Sequence, residues 1–194
     1  MRNYTKSPTH SDQGKTAAEL KVQLTHFGQQ TVVSIEDILT TIDRLPAFHL
    51  QRLKEITYDP QRLVPKIIRD SLEPIHPDAR GLFIQSHRTI AIHVIESREQ
   101  FLHVLFHELG HHVYFQVIGT KLKKQWVTEV CRKDKFVTAY AARNAAEDFA
   151  ECYAAYLLEP DRFRQFGLKF EFFRRYVFNN HCYLLQGDRI DFEA

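Results

Sequence analysis

The segment Tyr140–Leu157, YAARNAAEDFAECYAAYL, sets the hardest condition on the fold. Its run of Ala, Phe, Cys, Tyr and Leu asks to be a buried helix. Glu147 and Glu151 stand four apart in it and so share one helical face. Burying an unpaired carboxylate is costly, so the surface packed on that face must bring partners. Upstream, Phe106–His112 reads FHELGHH, and His107 and His111 are also four apart. Ser97 followed by Gln100 is a capping-box signature, and Phe101, Leu102, Leu105, Leu109 and Val113 keep helical spacing. The two histidines therefore sit mid-helix. Four residues turn through about 400°, so both imidazoles leave the same face one turn apart.

That spacing suits a metal. Two imidazoles so placed can hold one zinc ion at about 2.0–2.1 Å each. Glu108, rotated by about 100° from His107, need not coordinate and can reach a water on the metal. Zinc lowers the pKa of such a water to about 7, and a carboxylate beside it takes the proton. A catalytic zinc wants a third protein ligand. The pattern H-E-x-x-H-x-x-G-x-x-H is excluded, because Tyr114 occupies its Gly position and Val117 its last His. A carboxylate from the second helix is the other solution, with Glu147 as ligand and Glu151 accepting the outward N–H of a ligand histidine. Two structural readings compete. Asn144 as N-cap with Glu147 three later fits a capping box, and the histidines by themselves fit an ordinary hydrogen-bonded cluster. Asp148 reads as a surface or first-turn charge favoured by the helix dipole. His103 and His112 are read as non-ligands, His112 as exposed or capping a local bond.

The rest of the chain supplies a setting for these helices. Thr31–Val33 reads as a short strand, followed by a helix with Ser34 as N-cap and Ile35, Ile38, Leu39 and Ile42 on one face. A second helix is expected over Ala47–Glu55, then a strand in ITYDP ending at Pro60. Leu82–Gln85 and Thr89–Val94 form a hairpin across Ser86-His87-Arg88. Further helices are expected over Leu122–Cys131, Asn144–Leu158, Pro160–Phe166 and Phe170–Phe178. The predicted class is α+β: a small mixed sheet with helices in the N-terminal half, the motif helix at the join, and a helical C-terminal half. Residues 1–16 read as a mobile tail and 17–194 as one domain.

Other classes of function find little support. The formal charge of +2 and a single short basic run, KLKK at Lys121–Lys124, do not provide for nucleic-acid binding. No apolar run approaches the roughly 20 residues that span a bilayer. Three widely spaced cysteines, Cys131, Cys152 and Cys182, point to a reducing compartment rather than a disulfide framework. The polar start, MRNYTKSPTHSDQGKT, lacks an apolar signal core. The expectation is a cytoplasmic protein, or one exported without a cleavable signal peptide.

His-Glu-Leu-Gly-His, followed by Tyr140-x-x-x-Asn144-x-x-Glu147-x-x-x-Glu151, resembles the gluzincin metallopeptidases. The likeness is closest to the anthrax-toxin lethal-factor catalytic domain and the Pro-Pro endopeptidases. It is strong over Phe101–Leu158 and extends in element order to most of the chain after about residue 25. The resemblance implies a zincin-like fold and a zinc endopeptidase, with zinc held by His107, His111 and Glu147 and with Glu108 as general base. It further implies that Tyr140 donates to the developing oxyanion, and that a sheet edge at Gly81–Ile84 pairs with an extended peptide or protein substrate. Two alternatives stand beside it: a non-catalytic module that binds a protein partner through its sheet edge, and a regulatory protease with one cellular target.

Overall fold

In the computed structural model, residues 22–64 and 78–180 are described throughout. Outside them only the backbones of four short strands are described: β1 (Tyr4–Thr5), β2 (Thr16–Ala17), β7 (His181–Cys182) and β8 (Ile190–Asp191). The expected N-terminal tail therefore lies mostly outside the described residues.

The sheet is built from β-rich runs that the chain can bury. β3 (Gln23–Thr25), β4 (Glu55–Tyr58) and β6 (Thr89–Ile92) run parallel in that order, with Ile56 flanked by Leu24 and Ile90. β5 (Gly81–Ile84) pairs antiparallel with β6 and closes the sheet at that end. β1 and β2 continue it beyond β3. All four residues of β6 are buried, which fits a strand written TIAI that lies between β4 and β5. The β5–β6 hairpin turns where expected, with Arg88 taking the left-handed conformation at φ 58°.

α1 (Ile35–Asp43) starts at Ser34, whose hydroxyl accepts from Asp37 N–H at 3.0 Å while Asp37 reaches back in a capping box. The strand expected at Thr31–Val33 does not form. Gln30 spends the backbone groups that a strand would use: its side-chain oxygen accepts from Val32 and Val33, and its amide donates to the carbonyls of Phe27 and Val33. Nor does a full helix span Ala47–Glu55. A 3-10 turn covers Ala47–Leu50, Arg52 then adopts φ 68°, and Glu55 already belongs to β4.

α2 (Arg98–His112) crosses from the sheet into the helical half, capped by Ser97. Only half of the expected box forms there: Gln100 N–H donates to Ser97, but the Gln100 side chain accepts from Glu96 instead. The helix widens into π geometry at Val113–Val117. α3 (Thr120–Gln125) does the same at Trp126–Val130, so the helix expected from Leu122 is two segments with different winding. α4 (Ala145–Leu158) is the carboxylate-bearing helix. α5 is shorter than expected at Pro160–Phe163, and α6 (Gly167–Phe172) leads into a third π segment at Phe173–Val177. One core runs from Val22 and Leu24 of the sheet half through Phe101 and Leu105 to Phe173 and Phe178. The class is thus mixed α+β, with α2 at the join. Among the described residues no helix is long and apolar enough to cross a membrane.

Candidate metal centre

α2 and α4 pack very closely, and Gly110 is the reason. A methyl group placed on Gly110 would lie 2.7 Å from the Cα of Ala150 and 3.1 Å from its carbonyl oxygen. These are backbone atoms and cannot move aside cheaply. A glycine inside a helix costs about 1 kcal/mol relative to alanine. Here it lets the two backbones approach, which brings the carboxylates of α4 onto the histidines of α2.

The register of α4 is fixed at its start. Asn144 accepts from both Ala146 and Glu147 N–H at 2.9 Å, and Trp126 donates its indole N–H to the carbonyl of Ala145 at 2.8 Å. Glu147 thus gives its backbone N–H to the cap, while its carboxylate turns inward. Oε2 of Glu147 lies 3.2 Å from Nε2 of His107 and 3.2 Å from Nε2 of His111, and the two ring nitrogens are 3.1 Å apart. Of the two sequence readings for this carboxylate, the structure puts it in the histidine cluster.

Glu151, one turn on, accepts from Nδ1 of His107 at 2.7 Å. In the neutral imidazole that bond holds the proton on Nδ1, so that Nε2 would present its lone pair beside His111 and Glu147. Burial by itself would lower the basicity of His107, but the hydrogen bonds it donates to Glu147 and Glu151 outweigh it and raise its pKa to about 10. Burial likewise raises Glu147, and the two histidines more than reverse this, taking it to about 2. Protons thus hold the cluster together. A divalent cation seated among the three atoms would take their place, and its uptake would release protons. His107, His111 and Glu147 form a group able to hold a metal, with two imidazole nitrogens and one carboxylate oxygen converging on one point.

A cleft of about 330 Å³ opens on one side of this group. His107, Glu108, Glu151 and Tyr140 line it, with His103 and Val104 from α2 and Arg80 and Gly81 from the start of β5. Glu108 is only 5 % exposed and lies against β5: a methyl on Gly81 would come within 3.1 Å of its Oε1. Tyr140 is 40 % exposed, its ring centroid 5.7 Å from that of His107, and the Arg143 guanidinium lies 4.1 Å above its ring. Burial and the charge of Glu147 raise the Tyr140 phenol, and Arg143 counteracts them. All six residues named from the sequence therefore fall in one place.

Two neighbours differ from their sequence reading. Asp148 is not a surface charge: it is fully buried and pairs with the equally buried Lys169 at 2.7 Å. His112 is not exposed: it is buried, donates to the carbonyl of Gln51 at 3.1 Å, and meets Phe83 edge-on. His103 stands half-exposed at the cleft, 3.9 Å from Glu151. The sequence reading passed over Gly110, Gly81, Thr138 and Arg143. Gly110 did leave a signal, since an isolated glycine inside a helical pattern marks close packing.

No protein-family model matches the chain, and no curated protein matches it. What the centre can do therefore follows from its own geometry.

Proposed function

We propose that the protein is a zinc-dependent endopeptidase of the gluzincin type, on a zincin-like fold. The observation that carries this reading is the convergence of Nε2 of His107, Nε2 of His111 and Oε2 of Glu147 to within 3.2 Å of one another, beside a cleft lined by Glu108. A purely structural zinc site is closed by four protein ligands and has no use for a buried carboxylate at its open side. Three ligands and an adjoining cleft suit hydrolysis.

His107, His111 and Glu147 would hold the metal, and Glu151 would fix His107 in the ligating tautomer. When bound, zinc acidifies water and polarises a carbonyl, the chemistry that peptide hydrolysis needs. Glu108 takes the proton of the attacking water on its carboxylate and delivers it to the leaving amine. Tyr140 offers its phenol O–H to the carbonyl oxygen as negative charge builds there. β5 ends the sheet beside the cleft, and an extended peptide is read as adding a strand along it.

The sheet edge also fits the rival reading of a non-catalytic binding module, and Glu108 separates the two. A binding module has no need of a general base held at the metal. The test is a peptide-library cleavage screen of the purified protein, run with a metal analysis. The expected result is one zinc per chain and a defined cleavage site, both lost after treatment with a strong chelator. A stoichiometric zinc protein that cleaves nothing in the library would favour the binding module.

A further inference from the structure

Tyr140 lines the cleft with a ring that is 40 % exposed, so core packing alone does not fix where the phenol points. The ring meets two partners. One is the imidazole of His107, with centroids 5.7 Å apart and planes at 67°. The other is Arg143, whose guanidinium carbon stands 4.1 Å from the ring centroid. That is well inside the roughly 6 Å over which a cation is attracted to an aromatic face.

The backbone explains why residue 143 is the one that lands there. Arg143 N–H donates to the Tyr140 carbonyl at 3.1 Å and closes the 3-10 turn Ala141–Arg143. In 3-10 winding, side chains three apart eclipse one another. Arg143 is therefore set over Tyr140, where α-helical winding would offset the two. The turn is itself held at both ends. Ala141 N–H donates to Oγ1 of Thr138 at 3.1 Å, and Asn144, directly after Arg143, caps α4. Arg143 is exposed, and among the described residues no carboxylate pairs with it. The Tyr140 ring is what orders this long side chain.

We propose that Arg143 is a positioning residue, whose guanidinium clamps the Tyr140 ring beside His107 and so keeps the phenol in the cleft. The role assigned to the phenol rests on the peptidase reading; the clamp on the ring does not. The clamp carries charge as well as shape. A fixed cation on the ring draws electron density from the phenol, so its O–H is a better donor to a carbonyl oxygen that gains negative charge. Losing one such donor outright costs about 10²–10³ in rate. Losing the clamp should cost less, because the phenol itself remains.

The clamp is tested on the purified protein by nuclear Overhauser contacts between the ring protons of Tyr140 and His107, in the wild type, Arg143→Lys and Arg143→Gln. Glutamine keeps a polar, unbranched side chain and removes the charge; lysine keeps a cation. The contact should be present in the wild type, survive in Arg143→Lys and fade in Arg143→Gln. A contact of equal strength in Arg143→Gln would overturn the proposal. A second arm measures peptide hydrolysis. Arg143→Gln should lower kcat by roughly 3–10-fold with KM nearly unchanged, and Arg143→Lys should recover most of that loss. Wild-type kcat in Arg143→Gln would also overturn the proposal. In a Tyr140→Phe background, Arg143→Gln should cost little further, because the phenol it places is already gone. Equal cost in both backgrounds, or a raised KM in place of a lowered kcat, would show that Arg143 does not act through Tyr140. A wild-type protein without peptidase activity defeats the functional reading alone, and the ring contact then still decides the clamp.

Discussion

α4 carries three carboxylates within five residues, two of them buried and Glu147 partly so, and its two sides treat them differently. Glu147 and Glu151 meet the histidines of α2 and border a cleft. Asp148 meets Lys169 of α6, both fully buried, in a closed apolar surround that includes Cys152. On the Lys169 side, opposite charges match one to one and nothing further can enter. On the histidine side, the cluster is held by protons that a metal ion would displace. The difference teaches what separates a closed ion pair from a cluster able to hold a metal in this molecule. Burial is common to both. Only the second combines exchangeable protons with access.

The two sides should therefore fail in different ways. The largest effect is expected where a buried partner is lost on the functional side. Glu147→Ala should abolish stable zinc binding, because two imidazoles alone hold zinc poorly. Glu151→Ala removes only the acceptor behind His107 and should weaken zinc by roughly 10–100-fold. A zinc titration checks both, and the reverse ranking would exchange the two assignments. Lys169→Ala leaves Asp148 buried without its cation and should cost about 3–5 kcal/mol of stability. At a temperature where the variant is folded it should keep its zinc, as read by metal analysis beside a melting curve. Zinc loss in the folded variant would mean that the closed pair also shapes the open one.

Gly110→Ala sharpens the comparison from the other helix. It gains helix propensity, yet its methyl meets the backbone of Ala150. The expected cost is roughly 1–3 kcal/mol from overpacking, together with weakened zinc binding as α4 is pushed away. A variant as stable as the wild type with unchanged zinc affinity would remove Gly110 from the account.

The smallest effect is spread over pH. His49 and His112 are buried against backbone carbonyls, and His49 also meets the Tyr153 hydroxyl at 2.9 Å. Burial holds both pKa values down at about 4. The unfolded chain takes up these protons near pH 6.5, while the fold resists them until about 4. Their contribution to stability is complete above pH 6.5 and is lost as pH falls towards 4, at roughly 1–3 kcal/mol for each histidine. Denaturant midpoints measured between pH 7 and pH 4 on metal-free protein should fall accordingly. A flat profile would show that these two imidazoles are not held neutral.

How much of this was legible in the sequence depends on how far apart the partners stand along the chain. His107 with His111, and Glu147 with Glu151, are one helical turn apart, so helical periodicity alone aligned each pair. Matching the two pairs needed only the observation that buried carboxylates require partners. Lys169 lies 21 residues from Asp148, and no periodicity connects them; α6 brings it back. His112 was misread because its burial depends on the Gln51 carbonyl and Phe83, both distant in sequence. The missing strand at Thr31–Val33 has a local cause, the side chain of Gln30, but β propensity carries no trace of a glutamine that satisfies four backbone groups.

The central claim is that this centre performs hydrolysis rather than merely holding a metal. Its most direct test is zinc content and peptide cleavage measured on the same samples of wild type and Glu108→Gln. The amide keeps the shape of the carboxylate and cannot accept the proton of water. The account predicts one zinc in each protein, cleavage by the wild type, and loss of nearly all turnover in Glu108→Gln. A zinc-loaded Glu108→Gln protein that cleaves at the wild-type rate would contradict it.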